Sequence, residues 1–160
     1  MRWPSPASDR DLPVVRDEGH DVRWPSAFIS HASHDGTDHA ARLDRTLRRH
    51  GVVTWLCDRD VDVSLDFTSE LEQAIDAANA FIACITLAVM RPDSYVRREI
   101  CYAQMLGKRI AVARFAPILP PISVVTNTYF EFHLGWDAAF ARLLVFCRNS
   151  QDLSAPVPTS

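Results

Sequence analysis

Tyr95 and Glu99 form the pair of residues in this sequence whose types and spacing most favour chemistry. They are four residues apart in a segment with helical periodicity, so their side chains share one face of a predicted helix, and Tyr102 continues that face. On such a face a carboxylate can stabilise a developing positive charge, and an aromatic ring can stack on a base. The alternative is a solvated helix carboxylate paired with a neighbouring Arg. The residues taken alone favour that alternative.

A second group has the residue types of a Ser/His/Asp triad within one short stretch, namely Ser30, His31, Ser33, His34 and Asp35. Triad members converge from separate elements, which a single turn rarely achieves, so we expect helix capping from these side chains instead. His31 and Ser33 remain candidates for ligand binding. They follow a predicted strand at its carboxyl end, where parallel α/β sheets bind their ligands.

A third candidate is the D-x-D-x-D pattern of Asp58, Asp60 and Asp62, which resembles the start of a calcium loop. Val63 stands where that loop needs Gly, and Ser69 where it needs a bidentate Glu, so we predict no metal site. The four cysteines lack C-x-x-C spacing and lie mostly in apolar runs. This pattern indicates core thiols in a reducing, cytoplasmic setting.

The elements that must position these residues alternate between short apolar runs and amphipathic segments, the pattern of βαβ units. Predicted strands are residues 27–30, 52–57, 80–87, 109–115 and 128–132, of which we expect the middle three to be buried on both faces. Predicted helices are residues 37–50, 66–78, about 93–106 and one after residue 135, with 116–127 irregular. Right-handed crossovers then give an α/β fold, a flavodoxin-like three-layer sandwich with a five-stranded parallel sheet. We expect the following aromatic residues in its core: Trp55, Phe81, Phe115 and Trp136.

Composition favours one folded domain with a tail at each end. Residues 1–24 and 149–160 have proline-rich, weakly periodic compositions, which predict a disordered N-terminal tail and a C-terminal tail or linker around a domain at residues 25–148. The net charge of −3, from 17 basic and 20 acidic residues, provides no broad cationic field, so we expect neither nucleic acid nor membrane as a partner. The longest apolar run, residues 80–90, is too short for a membrane-spanning helix.

Several stretches resemble the motifs of TIR (Toll/interleukin-1 receptor) domains, in the order of that family. AFISHASHDG at residues 27–36 is similar to the opening box, VVTWLCD at 52–58 to the second strand, and DRDVDVSLDF at 58–67 to the BB loop. SYVRREICYA at 94–103 resembles the helix that carries the catalytic Glu of NAD-cleaving TIR domains, written Trp-x-x-x-Glu. Tyr95 takes the Trp place and Glu99 the Glu place. The matches together cover roughly residues 26–148.

The resemblance implies a bacterial NAD glycohydrolase that releases nicotinamide and leaves ADP-ribose or a cyclic ADP-ribose, in an immune, antiphage or stress role. It implies Glu99 as the catalytic residue, which we expect at an exposed helix position in a surface cleft. Tyr95, Phe67, His31 and Ser33 would bind NAD. NAD is then a substrate and no cofactor is expected. Because nicotinamide leaves from an already cationic ring, a second, acidic carboxylate is not required.

The resemblance also implies other TIR domains as partners, with self-association controlling activity. A head-to-tail contact through residues 58–67 would allow open filaments. A non-catalytic adaptor that acts only by TIR–TIR binding is the alternative function. Glu99 favours the enzyme. The adaptor is favoured by the BB-loop segment, which has Val63, Ser64 and Leu65 in place of the usual Gly before Phe67.

Overall fold

The structure, a computed structural model, describes residues 25–56, 65–124 and 127–152, without the side chains of residues 65–68, 123 and 150–152. Strands and helices alternate in the order β1 (Ser26–Ser30), α1 (Thr37–Arg49), β2 (Val53–Leu56), α2 (Leu65–Ala77), β3 (Ala80–Ile85), α3 (Tyr95–Met105), β4 (Arg109–Arg114), β5 (Thr128–Glu131) and α4 (Trp136–Asp152). Short 3-10 helices cover Leu87–Met90, Ile122–Val124 and Phe132–Leu134. The predicted N-terminal tail, most of the predicted BB loop and residues 153–160 lie outside the described residues.

The elements confirm the strands and helices predicted from the sequence and differ from them mainly at their ends. The predicted third strand ends early, because Leu87 already belongs to the 3-10 helix Leu87–Met90. Helix α3 begins at Tyr95, two residues after the predicted start near residue 93. Helix α4 continues to Asp152 and so includes the first residues of the predicted C-terminal tail.

All neighbouring strands of the five-stranded sheet are parallel, in the order β2-β1-β3-β4-β5. This is the order of flavodoxin-like folds, so the predicted fold class is confirmed. The prediction that β2 is buried on both faces is wrong. Strand β2 lies at the sheet edge and is partly exposed, whereas every residue of β1 is buried. The position of a strand in the sheet decides its burial, and the apolar content of β2 does not show that position.

Two apolar layers enclose the sheet, as the three-layer prediction requires. Helices α1 and α4 cover one face, where Leu43 and Leu143 pack against Ile29 and its neighbours. Helices α2 and α3 cover the other face, where Ile75 and Ile100 pack with Phe28, Phe81 and their neighbours. The predicted core aromatics are confirmed: Phe81 is buried, and Trp55, Phe115 and Trp136 are partly buried against these clusters.

Edge strand β2 is tied to the end of α1. Gly51 follows the C-cap His50 and has φ +82°, a left-handed backbone that favours glycine. Arg48 Nε then donates to Thr54 Oγ1 at 2.9 Å and pairs with Asp44 Oδ1 at 3.1 Å. These side-chain bonds fix α1 against the edge of the sheet.

No helix within the described ranges is both long and apolar enough to cross a membrane.

Candidate functional site

The candidate site lies at the carboxyl ends of β1 and β3, which are neighbours in the sheet. Their connections leave toward opposite sides: β1 leads through α1 to β2, and β3 leads through α3 to β4. Such a reversal of strand order opens a crevice in parallel α/β sheets, and this crevice is where their ligands bind.

Glu99 is held at this crevice by a hydrogen bond from the last residue of β1. Ser30 Oγ donates to Glu99 Oε2 at 2.6 Å, and the two residues are respectively 0% and 3% exposed. Ser30 lies on the same face of the sheet as Phe28, because alternate strand residues point the same way. Helix α3 packs on that face through Val96 and Ile100. The bond therefore joins the centre of the sheet to the helix above it.

The prediction of an exposed Glu99 is wrong. Helix α3 turns a stripe of its residues toward the sheet, and Glu99 lies in that stripe between Val96 and Ala103. Tyr95 lies at the border of the stripe and is 46% exposed, while Tyr102 is partly buried against the apolar core. Spacing established which residues share a face but not which part of that face turns inward. The burial also excludes the solvated helix carboxylate that we considered as the alternative.

A cavity of about 180 Å³ opens beside the Ser30–Glu99 pair. One wall is residues 31–34 of the β1–α1 connection, and the opposite wall is Ala88, Arg91 and residues 93–96. Glu99 is one helical turn beyond Tyr95 and Val96 and does not itself line the cavity. Pockets that enclose a drug-sized ligand usually measure about 300–1,000 Å³, so this cavity has room for only part of a dinucleotide.

The structure brings three of the four predicted NAD-binding residues to this cavity. His31 is 1% exposed, with its ring Nδ1 3.3 Å from the Ala32 carbonyl oxygen. Ser33 is half-buried, and its carbonyl accepts a hydrogen bond from a threonine hydroxyl in the first turn of α1. Tyr95 lies on the opposite wall. Phe67 lies in the first turn of α2, but its side chain is outside the described part of the structure, so its role stays a prediction.

Asp35 joins the two walls of the cavity. Its Oδ1 accepts a hydrogen bond from Thr86 Oγ1 at 2.5 Å, and its Oδ2 accepts one from the backbone N–H of Ala88 at 3.0 Å. Ala88 belongs to the 3-10 helix Leu87–Met90, so Asp35 caps a helix from another segment of the chain. Helix α1, which follows this turn and begins at Thr37, has Gly36 as its N-cap and no side-chain cap, so the capping expectation is wrong for that helix.

Ser30 pairs with Glu99, and Asp35 pairs with Thr86 and Ala88, so neither residue is bonded to a histidine as a triad requires. Two residues gain importance that the sequence did not assign to them: Ser30 as the partner of Glu99, and Asp35 as the link between the connections. The alternation along β1 could have placed Ser30 on the face of Phe28. Within residues 25–56, 65–124 and 127–152, no group of three or more His, Cys, Asp or Glu side chains could hold a metal ion. Asp58, Asp60 and Asp62 lie outside those ranges.

A family model described as the TIR domain matches residues 27–144. The chain therefore belongs to the TIR domain family, as the sequence motifs predict. Other TIR domains are the class of partner that membership of this family indicates. No curated protein sequence matches the chain at a significant level.

Solved structures with a similar fold include the TIR domain of a Toll-related receptor from Hydra magnipapillata, at 15% identity and a TM-score of 0.61, covering 79% of this chain and 100% of that one. A CMP N-glycosidase from Clostridium botulinum is similar at 19% identity and a TM-score of 0.51, covering 76% and 98% of the respective chains. A metazoan TIR-STING receptor from C. gigas is similar at 20% identity and a TM-score of 0.54, covering 91% of this chain but 44% of that one. At these identities the similarity shows the shared fold.

Proposed function

We propose that this TIR domain is an NAD glycohydrolase of the cytoplasm, acting in an immune or antiphage response, with Glu99 as its catalytic carboxylate. The observation that carries the proposal is the placement of Glu99. It is hydrogen-bonded to Ser30 at the point where the strand order reverses, and the neighbours His31, Tyr95 and Val96 line a cavity there. The resemblance of residues 94–103 to the catalytic helix of NAD-cleaving relatives supports the same assignment.

The chemistry requires one carboxylate in this position. When the bond between ribose C1′ and nicotinamide breaks, its electron pair moves to the nicotinamide nitrogen, and neutral nicotinamide leaves. The ribose keeps an oxocarbenium-like positive charge, which Glu99 stabilises while it holds the ribose hydroxyls. Water then adds to C1′ and loses a proton to give ADP-ribose. Attack by an adenine nitrogen of the same molecule gives the cyclic product.

The buried position of Glu99 makes access a part of this mechanism. Glu99 is 3% exposed and does not line the cavity, so the sugar reaches its carboxylate only after the residues around Glu99 move. The cavity encloses only part of the dinucleotide. A second copy of the domain would cover the remaining part, which is why we propose that self-association raises activity.

The test is incubation of the purified protein with NAD, with nicotinamide measured by chromatography and the second product identified by mass. Glu99→Gln is the test variant, and Glu72→Gln, an exposed carboxylate on α2, is its matched control. We expect wild type and Glu72→Gln to release nicotinamide at equal rates and Glu99→Gln to release almost none. Intact NAD in a wild-type sample that light scattering shows to be oligomeric would refute the proposal. CMP belongs in the same assay, because cytosine release without nicotinamide release would make the substrate a mononucleotide.

A non-catalytic adaptor is the second candidate, and the burial of Glu99 favours it. In this candidate the Glu99 carboxylate, which is 3% exposed, accepts the hydrogen bond from Ser30 and holds α3 on the sheet without taking part in a reaction. In that case NAD stays intact with wild type, Glu72→Gln and Glu99→Gln alike, while the purified domain still associates with itself. The assay and the light-scattering measurement together therefore separate the two candidates.

A further inference from the structure

A second concave surface lies at the end of the sheet opposite to the candidate site. It is an open groove of about 510 Å³, lined by Arg109, Thr128 and Phe130 of the sheet and by residues of α4 between 141 and 149. Arg109 and Thr128 are the first residues of β4 and β5, so the groove lies at the amino ends of these strands. The candidate site lies at the carboxyl ends of β1 and β3, so the two surfaces are separate.

Two positive charges lie on an aromatic floor in this groove. Phe130 and Phe146 are buried, and their ring centroids are 5.5 Å apart in an edge-to-face arrangement. The guanidinium of Arg109 lies over the Phe146 ring at 4.3 Å from its centroid, and that of Arg142 lies over the Phe130 ring at 5.6 Å. A guanidinium held on a ring still presents N–H donors at its own edge, in the fork geometry that carboxylates accept.

No negative charge offsets these arginines among the described residues that line the groove, which include neither Asp nor Glu. Arg142 is exposed and forms no ion pair with the described part of the chain. Val145, which also lines the groove, is 54% exposed. The groove therefore combines exposed apolar surface with two cations. Such a surface is complementary to a segment in which apolar residues lie between acidic ones.

The chain contains a segment of this kind before β1. Residues 9–21 have five acidic residues against two arginines, and the apolar residues 12–15 separate two acidic pairs. The composition of this region predicts no fold of its own, and segments of that kind can bind a complementary surface.

The position of β1 places this segment within reach of the groove. The chain enters β1 at Ser26, at the amino end of the sheet, and β4 is the second strand from β1. Neighbouring strands are about 4.8 Å apart, so the starts of β1 and β4 are separated by roughly 10 Å. The chain between residues 21 and 26 can span about 16 Å. Residues 58–67 are also acidic, but they join the carboxyl end of β2 to α2 and are available to this groove only from a second copy.

We infer that residues 9–21 bind this groove of their own chain as an intramolecular ligand. Carboxylates of the two acidic pairs contact Arg109 and Arg142, and residues 12–15 pack on the apolar surface beside Val145. The inference goes beyond the proposed function, because the groove and the proposed catalytic carboxylate lie at opposite ends of the sheet. The bound segment excludes other acidic peptides from the groove.

The test uses the whole chain with Arg142→Lys, which keeps the positive charge and introduces an amine. A carbodiimide joins an amine to a carboxylate when the two groups are in contact, and mass spectrometry of the digested protein identifies the carboxylate. We expect this amine to be joined to residues 9–21. An equal mixture of ordinary and nitrogen-15-labelled protein should show that both ends of the cross-link belong to one molecule. Arg98→Lys, at an exposed arginine of α3 on the other face of the sheet, is the matched control and should give no such cross-link.

A second measurement does not depend on cross-linking. Neutralising the two acidic pairs with Asp9→Asn, Asp11→Asn, Asp17→Asn and Glu18→Gln should shift the backbone amides of Val145 and Asn149 in the NMR spectrum of the whole chain. High salt should shift the same amides in wild type, because it screens the ion pairs.

Four results would each overturn the inference. They are the absence of a cross-link from Arg142→Lys to residues 9–21, a cross-link to residues 58–67 of another molecule in its place, equal cross-linking in Arg98→Lys, and unmoved amides of Val145 and Asn149 in the neutralised variant. Neither measurement involves NAD, so a failure of the proposed function leaves the inference unaffected.

Discussion

Ser30 and Glu99 join β1 to α3 by a buried hydrogen bond of 2.6 Å, which gives the carboxylate a structural role besides its proposed catalytic one. Glu99→Ala leaves the Ser30 hydroxyl buried without this acceptor and should lower the free energy of unfolding by about 1–3 kcal/mol. Glu99→Gln keeps an acceptor oxygen and should be more stable than Glu99→Ala. Both variants should lose NAD cleavage by about a hundredfold to a thousandfold, because the charge that opposes the oxocarbenium is gone.

Urea unfolding and nicotinamide release measure the two effects separately. Wild-type turnover by a folded Glu99→Gln would make Glu99 purely structural. Equal stability of Glu99→Ala and wild type would show that the hydrogen bond to Ser30 contributes nothing to the fold.

Ser30→Ala should reduce kcat more than it raises KM, because Ser30 acts on the reaction by orienting Glu99. A double-mutant cycle of Ser30→Ala and Glu99→Gln tests this dependence. Residues in direct contact usually show coupling energies of about 0.5–3 kcal/mol, so the two changes in unfolding free energy should not add. Strict additivity of the unfolding free energies, or an unchanged kcat in Ser30→Ala, would count against the orienting role.

Asp35→Ala should make the cavity walls more mobile. The substitution removes the two hydrogen bonds by which the Asp35 carboxylate connects the β1–α1 connection to Thr86 and Ala88. We expect faster hydrogen exchange at the Ala88 amide and a raised KM for NAD, with Asp35→Asn intermediate because it keeps an acceptor oxygen. Asp76→Asn, an exposed carboxylate on α2, is the matched control. If the exchange rate at Ala88 and the KM stay at their wild-type values in Asp35→Ala, the link between the walls has no functional effect.

Cys147 should make the fold sensitive to alkaline pH. Burial raises the pKa of its thiol from 9.0 to about 12, although the charge of Arg109 acts in the opposite direction. The unfolded chain releases this proton near pH 9.0 and the folded chain retains it, so the stabilising effect is complete below pH 9.0 and is lost as pH rises toward about 12. Between pH 9.0 and about 12, each pH unit should lower the free energy of unfolding by about 1.4 kcal/mol.

Urea unfolding of wild type and Cys147→Ala at pH 8, 9 and 10 checks this expectation. Other groups that titrate in this range affect both proteins equally, so the difference between the two unfolding free energies reports on Cys147 alone. A parallel decline of the two proteins between pH 9 and 10 would show that Cys147 is not responsible.

Specific activity should rise with protein concentration. In the proposed function the cavity of about 180 Å³ has room for only part of NAD, so a neighbouring copy that covers the remainder should increase turnover. Activity measured over a wide concentration range, with light scattering on the same samples, tests this relationship. A flat specific activity together with a monomeric protein throughout would contradict it.

The fold was predictable because its signals are local. The apolar run that becomes β3 and the stripe of Ala40, Leu43 and Leu47 on α1 both follow from periodicity, and Gly51 marks a helix end by its own backbone preference. The partner of Glu99 was not predictable in this way, since Ser30 is 69 positions away and meets it only through the packing of α3 on the sheet.

The other differences between the predictions and the structure also arise from contacts between segments that are distant in the sequence. The edge position of β2 and the capping of a distant helix by Asp35 depend on which segments become neighbours, and no local pattern specifies that. The resemblance to TIR domains supplied the choice of Glu99 as the candidate carboxylate, but the burial of Glu99 follows from the rotation of α3 about its axis.

The central position of β1 affects how the domain is made. Both of its neighbours in the sheet are synthesised after it, and β3 follows only after α1, β2 and α2. During synthesis the ribosome therefore releases a strand with an apolar core segment, Ala27 to Ile29, long before the partners that bury it exist. Pairing between distant segments is slow and leaves unpaired strands open to aggregation. Strand β1 therefore acquires its full set of sheet partners only after β3 has been synthesised.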